Sequence, residues 1–243
     1  MNSDPTKDEV PPLPEFLAPP PEKEAAELGL TATVFDPLEA DEVARDKAGD
    51  TETPPLRAYL MLDASVDPDI AVCLQAFDSP ARCLFDGAAF EELSEVGPWV
   101  VEITRYSDAW DWFVEDGFGN SWGIVIHSRL ELMRLKVQMK KFIKITDDTG
   151  ETYFFKFYRP EHFNTYIPAF DAAQLTKFTK GVETFFAEKN DDPKILMAHQ
   201  PVDDQLLTKE VDLFAVGEPL LIKPPSPEEA QAWIDAAIAA SNA

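Results

Sequence analysis

From residue 57 onward the chain alternates two apolar rhythms. Short, mostly apolar runs at 58–62, 82–85, 99–103 and 121–127 have the length and composition of buried strands. Between them apolar residues recur at helical spacing: Ile70, Leu74 and Phe77 follow Pro68, a first-turn proline behind Asp67. Two further helices are predicted over 88–95 and 108–115, and a third places Leu132, Leu135, Met139 and Phe142 on one face and Arg134, Lys136, Lys140 and Lys141 on the other. Successive strand-then-helix units predict an α/β fold: a mixed, largely parallel sheet with flanking helices.

The rhythm changes at residue 141. Ile143 and Ile145, then Tyr153, Phe155 and Phe157, flank Asp147-Asp148-Thr149-Gly150, a pattern that predicts an antiparallel hairpin at the sheet edge with Gly150 at positive φ. Alternation along its second strand places Lys156 and Tyr158 opposite Phe155 and Phe157. Pro160 then opens a helix. Asp171-x-x-Gln174 is a capping box for another, with Leu175 and Phe178 inward and Gly181 as its stop. Residues 182–187 and 195–198 are expected to pair as a hairpin. Past Gln200 the pattern weakens until Ser226-Pro227-Glu228-Glu229, a helix start followed by a thin stripe of Ala230, Ile234, Ala237 and Ile238. These parts predict a smaller helical and hairpin C-terminal lobe.

The first 56 residues read differently. They hold ten of the 21 prolines and fourteen acids against four bases. Such a segment buries too little apolar surface to offset its ordering entropy, so a disordered arm is expected, with polyproline II over 11–21 and short helical turns at 22–28 and 37–44. Phe16, Leu17, Val34 and Phe35 are its apolar exceptions, either docking anchors or parts of a solvated leader. The predicted division is an arm over 1–56, an α/β domain over 57–187 and an extension over 188–243.

Across 243 residues, 45% are apolar and the formal net charge is −24. That charge argues against nucleic acid, whose phosphates need clustered Lys and Arg, and fits a basic partner or simple solubility. Cys73 and Cys83 lack a CxxC neighbour and are expected to be buried, reduced thiols. The start MNSDPTKDEV has no apolar signal region and no run approaches a membrane span, so a cytoplasmic protein without membrane contact is expected.

Candidate chemistry is sparse. His127, His162 and His199 lie in three separate contexts, and Gly117-Phe118-Gly119 is a lone GxG without a phosphate-binding continuation. Asp63 and Asp86 follow strands and His127 ends one, and the three would serve a hydrolase or metal enzyme only if they converged in one pocket. No catalytic group, metal or cofactor is expected. The aromatic segment Trp110, Trp112, Phe113, Phe118 and Trp122 offers protein-contact anchors, with Trp110 and Phe113 on one helical face and Trp112 elsewhere.

Five stretches carry a resemblance: YLMLDAS (59–65), CLFDG (83–87), GPWVVEI (97–103), NSWGIVIHSR (120–129) and KFYRPEH (156–162). In order and spacing, over roughly 57–187, they resemble the effector-adaptor chaperones of bacterial type VI secretion, often called Tap or Tec adaptors. That family's last strand usually runs Arg-Phe-Tyr-Asp-Pro-Arg, where this chain has Lys156-Phe157-Tyr158-Arg159-Pro160-Glu161. The resemblance implies a non-enzymatic adaptor that binds a cognate effector and helps load it onto the spike, with the spike-tip protein as a further partner. It draws attention to Lys156, Tyr158, Arg159 and Glu161 as partner-binding residues, to which the aromatic segment adds Trp110, Trp112 and Phe118. An immunity-like acidic inhibitor of a toxin is the alternative.

Overall fold

The computed structural model describes residues 22–146, 149–190 and 192–215. In chain order its elements are α1 (Glu22–Ala48), β1 (Arg57–Asp63), α2 (Asp69–Ala76), β2 (Ala81–Cys83), α3 (Ala88–Leu93), β3 (Pro98–Ile103), α4 (Asp108–Trp112) and β4 (Gly123–Ser128), then α5 (Leu132–Lys140), β5 (Lys144–Thr146), β6 (Thr152–Phe154), α6 (Pro160–Tyr166), α7 (Ala172–Phe178), β7 (Val182–Lys189), β8 (Asp192–Val202) and β9 (Gln205–Asp212). A π-helical turn, Phe113–Gly117, extends α4, and a 3-10 turn, Ile167–Ala169, follows α6.

Seven strands form one sheet in the order β2-β3-β1-β4-β7-β8-β9, and every neighbouring pair is antiparallel. This overturns the expected largely parallel sheet. The strand-then-helix cycle is present, but α2 carries the chain from β1 to β2 with β3 between them, α4 carries it from β3 to β4 with β1 between them, and α3 joins β2 to its direct antiparallel neighbour β3. Each gap is filled by a strand of opposite direction, so units that would give parallel neighbours give antiparallel ones. The hairpin β5–β6 also departs from expectation. It is a separate two-stranded ribbon, pairing Ile145 with Tyr153, and does not extend the sheet edge. Gly150 sits at φ +89 in its loop, as the turn chemistry requires.

Helices cover both faces of the sheet. On β7 the consecutive residues Phe185 and Phe186 point to opposite sides. Phe185 meets Phe163 and Phe178 beneath α6 and α7, while Phe186 meets His127. Phe178 is the hub of the first side, with rings of Phe142, Phe157, Phe170 and Phe185 at 5.1–5.7 Å. The capping box at Asp171 is complete: its carboxylate accepts from the Gln174 N–H at 2.8 Å and the Gln174 side chain accepts from the Asp171 N–H. The predicted β7–β8 hairpin pairs Phe186 with Ala198, and β8 continues into β9, which the sequence pattern does not announce. The sheet therefore runs on past residue 187 without a break. The helix expected from Ser226 lies outside the described residues.

The polyproline II segment expected at 11–21 lies outside the described residues; in the rest of the expected unstructured arm, residues 22–48 form α1 and bury Leu30, Val34 and Phe35. Three of the acids that suggested a solvated segment are held in ion pairs. Asp36 and Glu39 bind Arg105 at 2.6 and 2.7 Å, and Asp41 binds Arg129 at 2.6 Å. At Gly29 the backbone of Leu213 comes so close that a Cβ would lie 1.8 Å from its carbonyl oxygen, which ties the helix to the end of β9. Pro37 inside α1 leaves the Thr33 carbonyl without its helical donor.

Candidate functional site

Asp63 ends β1 and is fully buried. Its carboxylate receives Arg159 Nε at 2.7 Å, Lys156 Nζ at 3.0 and 3.3 Å, and the Ser65 N–H at 3.1 Å. Burial pushes the Asp63 carboxyl up, but hydrogen bonds from Arg159, Ser65 and Lys156 outweigh it and hold the group below the usual carboxylate range. The two cations come from the turn that precedes α6, so this node joins the end of β1 to the start of that helix. Leu62-Asp63 and Tyr158-Arg159-Pro160, separated by more than ninety residues, thus belong to one structural unit. Lys156 makes the Asp63 contact as a point charge.

The turn also corrects the reading of its aromatic residues. The strand stops at Phe154, and residues 157–159 turn rather than alternate, so Phe157 and Tyr158 are both buried. Tyr158 therefore does not face outward as strand periodicity predicts. Lys156, Arg159 and Glu161 remain partly exposed, and Arg159 reaches Glu161 at 3.7 Å. His162 Nδ1 closes the turn on the Lys156 carbonyl at 3.1 Å.

The aromatic segment divides as helical spacing predicts. Trp110 is buried, donates from Nε1 to Thr31 Oγ1 at 3.2 Å and meets the Phe35 ring edge-on at 5.1 Å. It holds α1 in place and cannot reach a partner. Trp112 and Phe118 are half-buried. Trp112 stacks at a tilt on Trp122, centroids 4.6 Å apart, and the two line a cleft of about 440 Å³ with Asp67, Asp69, Asp116 and Asn120. This cleft lies beside the same end of the sheet as the Asp63 node, since the Asp63 N–H donates to the Trp122 carbonyl at 2.8 Å.

The hydrolase constellation does not assemble. His127 pairs across the ladder with Ala58, five residues before Asp63, which separates the two along β1 by roughly 16 Å at strand rise. His127 is buried against the α1 side of the sheet, where burial lowers its pKa to about 4 against an opposing hydrogen bond with the Val34 backbone. Asp86 is held by Lys136 and Lys140 at 2.5 and 2.6 Å, which lower its pKa and fasten α5 to the segment after β2. Among the described residues, no group of three or more His, Cys, Asp and Glu is placed to hold a metal ion.

Two buried polar groups escaped sequence reading. Glu188, whose pKa burial raises to about 7, accepts from the Ser121 N–H at 3.4 Å, while its Oε1 has no partner among the described residues. The signal was available: Thr184, Phe186 and Glu188 share one side of β7, so a carboxylate at the last place continues an inward row. His199 bonds Asn164 Oδ1 at 2.8 Å and Thr208 Oγ1 at 2.9 Å, and burial lowers its pKa to about 4.

An antiparallel sheet covered on both faces, with a charged node and a polar cleft at one end, defines an α/β domain. Residues 58–177 match the family model described as Domain of unknown function (DUF4123), and the chain carries a domain of that family. No curated protein and no solved structure matches the chain. Among the described residues no helix is long and apolar enough to cross a membrane.

Proposed function

We propose that this chain is a type VI secretion adaptor: a cytoplasmic chaperone that binds a cognate effector and assists its loading onto the spike complex without chemistry of its own. The observation that carries the proposal is the DUF4123 domain at 58–177, the stretch whose five motifs resemble the type VI adaptors. Surface composition supports it. Ile145 and Tyr153 pair across the β5–β6 ribbon and each is about half exposed, as are Met133 and Val137 one turn apart on α5. Large apolar residues displayed together mark protein contact surfaces. From the motif region, Lys156, Arg159 and Glu161 form the partner-facing set with Trp112 and Phe118, while Tyr158 and Trp110 serve the core beneath them.

The test is co-expression of the tagged full chain with the product of the neighbouring gene. The adaptor reading expects the two to elute together, and expects export of that product to fail in cells lacking this chain while its synthesis continues. Elution of the product alone, with export unchanged in the deletion strain, would overturn it. An immunity-like inhibitor would instead leave export intact and lose protection of the host cell.

A further inference from the structure

The outer side of α5 and the β5–β6 ribbon form an apolar and basic surface that no described element covers. All six strand residues of the ribbon are exposed, among them Ile145, Tyr153 and Phe154. A two-stranded ribbon is only marginally stable alone, so such a surface gains from a cover. On α5 and its C-cap, Met133, Val137 and Lys141 recur every four residues and are exposed as well. Residues 132–146 hold five bases and no acid. Lys141 Nζ donates to the Gln138 side chain at 3.0 Å and Lys144 lies over the Phe154 ring, so neither is paired with a carboxylate among the described residues.

The same chain holds a segment of complementary chemistry. Its last twenty residues, 224–243, carry Glu228, Glu229 and Asp235 and no base. After the helix start at Ser226, the apolar residues Ala230, Trp233, Ile234, Ala237 and Ile238 recur at the spacing of one helical face. The attachment point lets this segment and the surface meet. Through the registers of β4, β7 and β8, the last residues of β9 fall at the same end of the sheet as Asp63, where Lys156 ties the ribbon. On that end the ribbon spans from β1 to Phe85, just past β2, which is four to six strand places from β9, or about 19 to 29 Å. Residues 216–225 reach about 33 Å when extended, enough to bring Ser226 to the ribbon. The N-terminal segment 1–21 leaves from the other side of the sheet, since α1 packs on Trp110 whereas α5 joins α7 through Gln138 and the Lys177 carbonyl.

We propose that the chain's own segment 226–242 docks on α5 and the β5–β6 ribbon, its apolar stripe against Val137, Ile145 and Tyr153 and its carboxylates beside Lys141 and Lys144. Opposite charge fixes which segment is chosen, and burial of the two apolar stripes holds it there. The inference stands apart from the adaptor reading. Under that reading the tail competes with an effector for the same surface.

The test is carbodiimide cross-linking of the full chain, which joins an amine directly to a carboxylate in contact with it, with the linked peptides read by mass spectrometry. Lys189 and Glu210, 2.7 Å apart, supply the internal control. The expected result is a link from Lys141 or Lys144 to Glu228, Glu229 or Asp235 within one chain, shown by mixing isotope-labelled and unlabelled protein. Val137→Asp changes an exposed side chain and should abolish that link while the control link persists. The Trp233 indole N–H resonance should move in the same variant, with those of the buried Trp99 and Trp110 unchanged. A control link without any tail link would overturn the proposal. So would tail links that survive Val137→Asp, links only between labelled and unlabelled chains, or links to Lys141 and Lys144 from the acids of residues 1–21 instead. Because no effector is present, these outcomes leave the co-expression test of the adaptor reading untouched.

Discussion

Glu188, His127 and His199 are buried groups whose pKa values are displaced toward the neutral form, and they drive stability in opposite directions with pH. Each His, lowered to about 4 in the fold, stays neutral while its unfolded counterpart takes up a proton below about 6.5. The unfolded state then binds more protons, so the His contribution rises with pH between about 4 and 6.5. Glu188, raised to about 7, keeps its proton in the fold while the unfolded carboxyl loses it above about 4.5, so its contribution falls as pH rises through that interval. Two protons against one leave a net increase of roughly 1 kcal/mol per pH unit between 4.5 and 6.5. Urea titrations across this range should show that slope, and Glu188→Gln, which cannot ionise, should steepen it to roughly twice the value. An unchanged slope in the variant would remove Glu188 from the balance. Asp63 acts lower: its folded pKa is depressed, so its stabilisation is complete above the unfolded value near 3.8 and is lost as pH falls through the folded one. Arg159→Ala removes the 2.7 Å bond but leaves Lys156, and should cost about 2 kcal/mol in the urea midpoint at pH 7.

α1 carries the clearest element-scale consequence. Leu30, Val34 and Phe35 are each buried by the helix, and burial of such side chains contributes about 1.5–3 kcal/mol apiece. Deleting residues 1–50 should therefore lower the thermal midpoint by more than about 10 °C, since a domain of this size shifts about 2–4 °C per kcal/mol. Gly29→Ala, which sets a methyl against the Leu213 carbonyl, should show part of the same loss without shortening the chain. If both proteins melt with the parent, α1 does not dock. The signal for this helix was present in Leu30, Val34 and Leu38, four residues apart, but proline and acid content outweighed a stripe that short. Its acids find Arg105 and Arg129 more than sixty residues away, and no local pattern announces such pairs. The same limit hid the Asp63 node, whose members are 93 and 96 residues apart. Helical periodicity did separate Trp110 from Trp112, because both belong to one short element. Strand neighbours were beyond reach: a crossover that skips a place has the same local sequence as one that does not, so the βα cycle was legible and the antiparallel order was not.

At the scale of the whole molecule, charge and fold unit are distributed unevenly. The chain carries −24, yet residues 132–146 hold five of its 21 bases and no acid, so the helix and strand that display Met133, Val137 and Ile145 form a basic stretch on an acidic body. The acidic cleft and this basic apolar surface are of opposite character. The family match at 58–177 is smaller than the fold that supports both. β4 pairs on one side with β1 and on the other with β7, which begins after the match ends. Excising 58–177 would remove Phe178 and β7 through β9, leave β4 as an open edge and uncover Phe157 and Phe163, whose rings pack on Phe178 and Phe185. It would also remove α1, and with it the cover over Trp110 and His127. A match of that extent alone would suggest an independent domain, whereas the packing predicts that the excised piece lacks a complete core. Expressed alone, 58–177 should aggregate or unfold without a cooperative transition, while 22–215 should retain the parent's cooperativity. A soluble 58–177 fragment with a sharp melt would show that the added strands and α1 are accessories to a self-sufficient core.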